Sequence, residues 1–219
     1  MEKEHCQKVK LGLERLERTD DTILANSSEM LKANNSEFYS FDLFAVGALK
    51  RAISLSKGFR ILIQDWNLVT ARAILRLQLD TLLRFSAGWL VENPHKFAED
   101  VLSGKRIDKL VDKDGNKLRD NYLCMELGKK YEWIPRVYQQ TSAFVHLSGR
   151  HIISALSDFN DKGMSNKITI SAIDDKYPDS SYIEAVNCFQ ETTDIFLTYV
   201  KGWTITKDKS ITKITTSRP

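Results

Sequence analysis

The sequence predicts a mainly α protein, a multi-helix bundle with a small C-terminal β hairpin or sheet. Three observations carry this. The 219-residue chain has only four prolines, Pro94, Pro135, Pro178 and Pro219, which leaves long stretches free of helix breakers. Between them, apolar residues recur at steps of three and four. Near the C-terminus the pattern changes to β-branched alternation, in "KITISAI" (167–173) and "WTITKDKSITKITT" (203–216).

The first helix is expected over 3–18, with Val9, Leu13 and Leu16 on one side, continuing after a break towards Lys32. "ANNSEFYS" (33–40) reads as a polar connection. A second helix over 40–63 places Phe41, Phe44, Ala48, Ala52 and Leu55 inward. "QDWN" (64–67) offers Asp65 or Asn67 as the N-cap of a third helix, which runs to about Val91 and stops before Asn93 and Pro94. Shorter helices over 95–102 and 118–130 flank the Asp-Gly-Asn turn of "VDKDGNKL". Pro135 suits the first turn of a helix over 135–148 closed by Gly149, and 158–166 is turn-like. The last helix spans 178–202, with Ser181 and Glu184 as a capping box, Ala185, Phe189, Phe196 and Val200 inward, and Gly202 as its end.

No repeat or linker interrupts this order, so the chain reads as one helical domain over 1–219. Its core covers about 40–203, with the N-terminal helix and a basic tail added. The hydrophobic content of 42% is ample for a packed core. The longest apolar region, Phe59 to Val91, is interrupted by Asp65, Arg72, Arg76, Asp80 and Arg84, which argues against a membrane span. The charged N-terminus lacks the apolar centre of a secretory signal. Cys6, Cys124 and Cys188 are odd in number and form no CxxC or Cys/His spacing. A cytoplasmic protein with no metal and no cofactor is expected. There is no Walker loop, no GxGxxG and no legible catalytic serine triad.

The net charge of +3 is unevenly spread, with an excess of five positive charges over 49–84 and four over 201–219. Within the first excess lies "ARAILRLQLDTLLR" (71–84). At 100° per residue Arg72, Arg76, Asp80 and Arg84 wind slowly along one side of a helix that is otherwise apolar almost all round. Such a helix is central in its domain, where isolated charges cost several kcal/mol each. Asp80 lies one turn from Arg76 and from Arg84, yet one aspartate cannot neutralise three arginines. The remaining charge calls for an interhelical network or for an anion, since guanidinium binds phosphate and carboxylate through two parallel hydrogen bonds. A second polar stripe, Tyr138, Ser142 and His146 with Gln139 beside them, falls at helical spacing in "YQQTSAFVHLSGRH" (138–151). His146 is either a general acid or base, a phosphate donor, or a satisfied structural histidine.

Together "ARAILRLQLDTLLRF" and "YQQTSAFVHLSG" resemble the DUF5677-like family of uncharacterised bacterial helical proteins, over roughly residues 40–155. The resemblance assigns Arg72, Arg76 and Asp80 to an arginine-rich element, and Tyr138, Ser142, His146 and Ser148 to a tyrosine–serine–histidine–serine element. More distantly the pattern is similar to the HEPN superfamily, which includes ribonucleases and nucleotide-binding partners in bacterial stress and phage defence. Those nucleases carry an arginine four to six residues before the histidine. Here Arg136 is ten residues before His146, and Arg150 follows it.

The function expected on these grounds is a dimeric bacterial binding module. Arg72, Arg76, Asp80, Tyr138, Ser142 and Ser148 would form a cleft for RNA or a nucleotide, with His146 as the catalytic candidate. The alternatives are a metal-independent ribonuclease, and a non-catalytic interaction domain using exposed apolar patches or the basic tail.

Overall fold

A computed structural model describes residues 4–155, 168 and 170–215, with side chains of the last helix described to Lys207. The described residues form eight α-helices and no β-strand. They are α1 (Gln7–Lys32), α2 (Ser40–Gln64), α3 (Leu68–Ser86), α4 (Pro94–Leu102), α5 (Asp120–Gly128), α6 (Ile134–Val145), α7 (Gly149–Ala155) and α8 (Asp179–Thr215). None of the described helices is long and apolar enough to cross a membrane.

α1 does not break near residue 18. The segment stays helical with Thr19, Ile23 and Asn26 buried, and Thr19, Thr22 and Asn26 donate to the carbonyls of Arg15, Arg18 and Thr22. Thr19 also meets Gln190 of α8. The turn to α2 places Asn34, Asn35 and Ser36 at positive φ, a conformation that asparagine tolerates better than most residues. Tyr39 N–H then donates to Asp42 at the start of α2. Of the two N-cap candidates for α3, Asn67 fills the role, accepting from Thr70 N–H at 3.1 Å.

α3 packs against α2, α5, α6 and α8, so the helix that is apolar nearly all round is the central one. It runs to Ser86, and a 3₁₀ turn (Ala87–Trp89) carries the chain on. α3 and α8 both pass through two buried clusters. One gathers Leu68, Ala71 and Leu75 with Tyr182, Ala185 and Phe189, and Phe59 stacks on Phe189 at 4.3 Å. The other gathers Leu79, Leu82 and Phe85 with Phe196, Val200 and Trp203. The four inward positions expected for α8 are all buried.

Four expectations are corrected. The C-terminal hairpin over 203–216 does not form: α8 runs through Gly202 to Thr215. The Thr residues that suggested alternation donate instead to carbonyls one turn back, Thr204 to Val200 and Thr206 to Gly202. Trp203 and Lys207, one turn apart, are drawn into the protein by Asp42. Of the strand expected at 167–173, Ile170 to Ile173 are not in a strand, while Lys167, Thr169 and the expected turn at 158–166 lie outside the described residues. α8 begins at Asp179, so Ser181 lies inside the first turn and does not cap it. Finally, α6 stops at Val145 rather than 148. His146 is extended, and Ser148 bridges the break by donating to Ala143 C=O at 2.7 Å and accepting from Arg150 N–H at 3.3 Å.

Candidate functional site

The helical spacing of the α3 stripe delivers its side chains to two different environments. At the C-terminal end, Arg84 Nε donates to Asp80 at 2.7 Å and its Nη2 to Asp120 of α5 at 2.8 Å. Asp80 also accepts from Arg51 of α2 at 3.2 Å. Arg76 Nη2 lies 3.6 Å from the other oxygen of Asp120, and its Nε donates to Ser142 at 3.2 Å. Its guanidinium carbon sits 4.0 Å from the centre of the Tyr138 ring. A chain of alternating charge therefore runs Arg51, Asp80, Arg84, Asp120, Arg76 and joins α2, α3, α5 and α6. Burial works to lower the pKa of Arg84, but the charge and hydrogen bond of Asp80 and the charge of Asp120 outweigh it, so the guanidinium is held protonated.

One turn earlier the arrangement changes. Arg72 has no carboxylate within 4.0 Å among the described residues. Its guanidinium lies 5.1 Å from the centre of the Phe144 ring and 5.3 Å from that of Tyr177. It lines a half-enclosed cavity of about 200 Å³ between α3, α6, α7 and α8. Leu75, Val137 and Ala185 provide apolar wall, Gln140 and Thr141 polar wall, and Arg150 and Glu184 bring one charge of each sign. Burial raises the pKa of the Tyr177 phenol; the charges of Arg72 and Arg150 act against that rise and that of Asp174 adds to it. The Asp174 carboxylate accepts from Val69 N–H at 2.9 Å, at the start of α3; burial raises its pKa, and that hydrogen bond and the more distant charge of Arg72 act against the rise. Cys188 also lines the cavity, but burial, reinforced by Glu184, pushes its thiol up to about 11, so it is no nucleophile at neutral pH.

The residues expected at the site thus divide. Arg76, Tyr138 and Ser142 are in contact, and Asp80 joins them through Arg84 and Asp120. Arg72 stands apart at the cavity. Ser148 spends its hydroxyl on the α6–α7 turn. His146 is exposed at the end of α6, off the helical stripe that would have aligned it with Ser142, and its ring has no hydrogen-bond partner among the described residues. No group of three or more metal-ligand side chains occurs among the described residues.

Sequence reasoning missed Asp120, which supplies the second negative charge of the network, and Arg150 and Glu184, which frame the cavity. Asp120 was legible only as an acidic residue near a helix start, since its partners are 36 and 44 residues away. It also missed the most deeply buried ion pair. Lys207 and Asp42 are each 0% exposed, with Lys207 Nζ 3.0 Å from the carboxylate and 2.9 Å from Met30 C=O, and Trp203 Nε1 donates to the second carboxylate oxygen at 2.7 Å. Comparison of the chain with protein families, curated proteins and solved structures finds no significant match.

Proposed function

We propose that the chain is a helical binding module whose cavity at Arg72 takes a small phosphate-bearing ligand. The observation that carries the reading is that Arg72 has no carboxylate within 4.0 Å among the described residues, at the wall of a cavity that a second arginine, Arg150, also lines. Ring contacts take up no N–H donor in a conventional hydrogen bond, so the guanidinium keeps its donors for an anion. A volume of about 200 Å³ lies below that of drug-sized sites, which start at about 300 Å³. RNA or a nucleotide would therefore seat one phosphate here rather than a whole nucleotide. Arg76, Tyr138, Ser142 and Asp80 then support the wall, holding α6 against α3. All three cysteines are free thiols, which fits a reducing cytoplasm.

The test is calorimetric titration of the full chain with inorganic phosphate and a nucleoside monophosphate. Arg72→Met should weaken both by about tenfold or more, the worth of one charge-assisted hydrogen bond. Unchanged affinity overturns the reading.

A specific observation also favours self-association. α7 buries none of its residues, and its Ile152 and Ile153 are exposed, as is Leu147 just before it. The dimer expected from the sequence would use this face. Light scattering should then give twice the monomer mass, and Ile152→Asp should return it to the monomer; a monomeric parent protein rejects the dimer.

A further inference from the structure

The cavity is not a plain cation pocket. Arg72 and Arg150 bring two positive charges, but Glu184 lines the same space, and its carboxylate is more than 4.0 Å from every described cation. A simple anion entering between the arginines meets that carboxylate as a like charge, whereas a ligand carrying an amine as well meets it as a partner. Leu75, Val137 and Ala185 offer apolar wall for a short hydrocarbon spacer between the two charges, and the volume of about 200 Å³ admits nothing much larger.

We infer that the ligand is an amine-bearing phosphate ester, its phosphate held by Arg72 and Arg150 and its ammonium by Glu184. The inference rests on the phosphate reading above and narrows it. Arg72 is the fixed element, on the central helix and against Phe144 and Tyr177. Arg150 is exposed on α7, and Glu184 is exposed on α8, so these two meet the ligand at the mouth of the cavity. Because Glu184 is exposed, its ion pair with the amine is screened by solvent and contributes a selectivity of about fivefold rather than a hundredfold.

The experiment compares phosphoethanolamine with ethyl phosphate, which has the same anion and no amine, by titration calorimetry of the full chain and of Glu184→Gln. Phosphoethanolamine should bind about fivefold tighter to the parent protein, and Glu184→Gln should erase that preference while leaving ethyl phosphate bound at least as well. A parallel arm with phosphatidylethanolamine vesicles tells a lipid headgroup from a free ester, and Glu184-dependent binding of either sustains the inference. Equal binding of the two free esters to the parent protein, without Glu184-dependent vesicle binding, overturns the amine claim and leaves the phosphate reading standing. Binding of none of these probes overturns both.

Discussion

At Arg76 and Arg84 the guanidinium groups end on Asp80 and Asp120, whereas one turn earlier Arg72 ends on two aromatic rings and a cavity. The three arginines belong to one stripe of one helix and look alike in the sequence. What separates them is what the neighbouring helices present. α5 brings Asp120 to one end, so that Arg76 and Arg84 each have a carboxylate partner, while α2 adds Arg51 beside Asp80 and leaves that network one positive charge in excess. At the other end α6 brings Phe144, and Tyr177 approaches ahead of α8. Ring contacts return roughly 0.5–2 kcal/mol for a cation, less than its desolvation costs, so Arg72 is left with charge for solvent or an anion to satisfy. Charge that the chain neutralises itself holds the fold, and charge that it leaves open is available for binding.

The comparison predicts that substitutions in closed networks cost stability in proportion to burial. Asp42→Ala should be the most damaging, because it removes the carboxylate that balances the Lys207 charge at 0% exposure and the acceptor of Trp203; urea unfolding should show a loss of about 3–5 kcal/mol. Asp120→Ala comes next. It removes the acceptor of Arg84 and the ion-pair partner of Arg76, whose side chains are 29% and 10% exposed, and should cost about 1–3 kcal/mol. If this variant is as stable as the parent, the network is not closed by Asp120.

The smallest effect belongs to a carboxylate closed by neutral donors. Burial acts to raise the pKa of Asp112, but hydrogen bonds from the Tyr122 hydroxyl, the Asn116 backbone and side chain and the Asp114 backbone outweigh it and bring it from 3.8 to about 2. With the folded pKa depressed, its contribution is present above pH 4 and is lost as the pH falls from about 4 to about 2. Asp112→Asn should flatten that part of the acid-unfolding curve; an unaltered curve would show that the turn's hydrogen bonds do not discriminate ionised from neutral aspartate.

Much of the helical order was legible because it rests on local signals. Asn67 caps α3, Pro135 lies in the first turn of α6, Asn93 and Pro94 mark where the third helical segment has ended, and the spacing of Ala185, Phe189, Phe196 and Val200 marks the buried face of α8. The strands expected over 203–216 fail because the deciding contacts, Lys207 and Trp203 on Asp42, lie more than 160 residues apart in sequence, whereas the helix expected to continue to 148 ends in a local turn held by Ser148. The excess of arginine over aspartate along α3 was legible as a question. The answer for Arg76 and Arg84, Asp120, needed the tertiary placement of α5.

The most direct measurement pairs Arg72→Met with Arg76→Met and records urea stability and phosphate affinity for both. Arg76→Met should lose about 1–2 kcal/mol through its contacts with Ser142, Asp120 and Tyr138 while keeping phosphate affinity within about threefold. Arg72→Met should stay within about 1 kcal/mol of the parent and lose phosphate binding. A folded Arg76→Met protein that no longer binds phosphate, beside an Arg72→Met protein that still does, would contradict the division of the stripe into a closed and an open end.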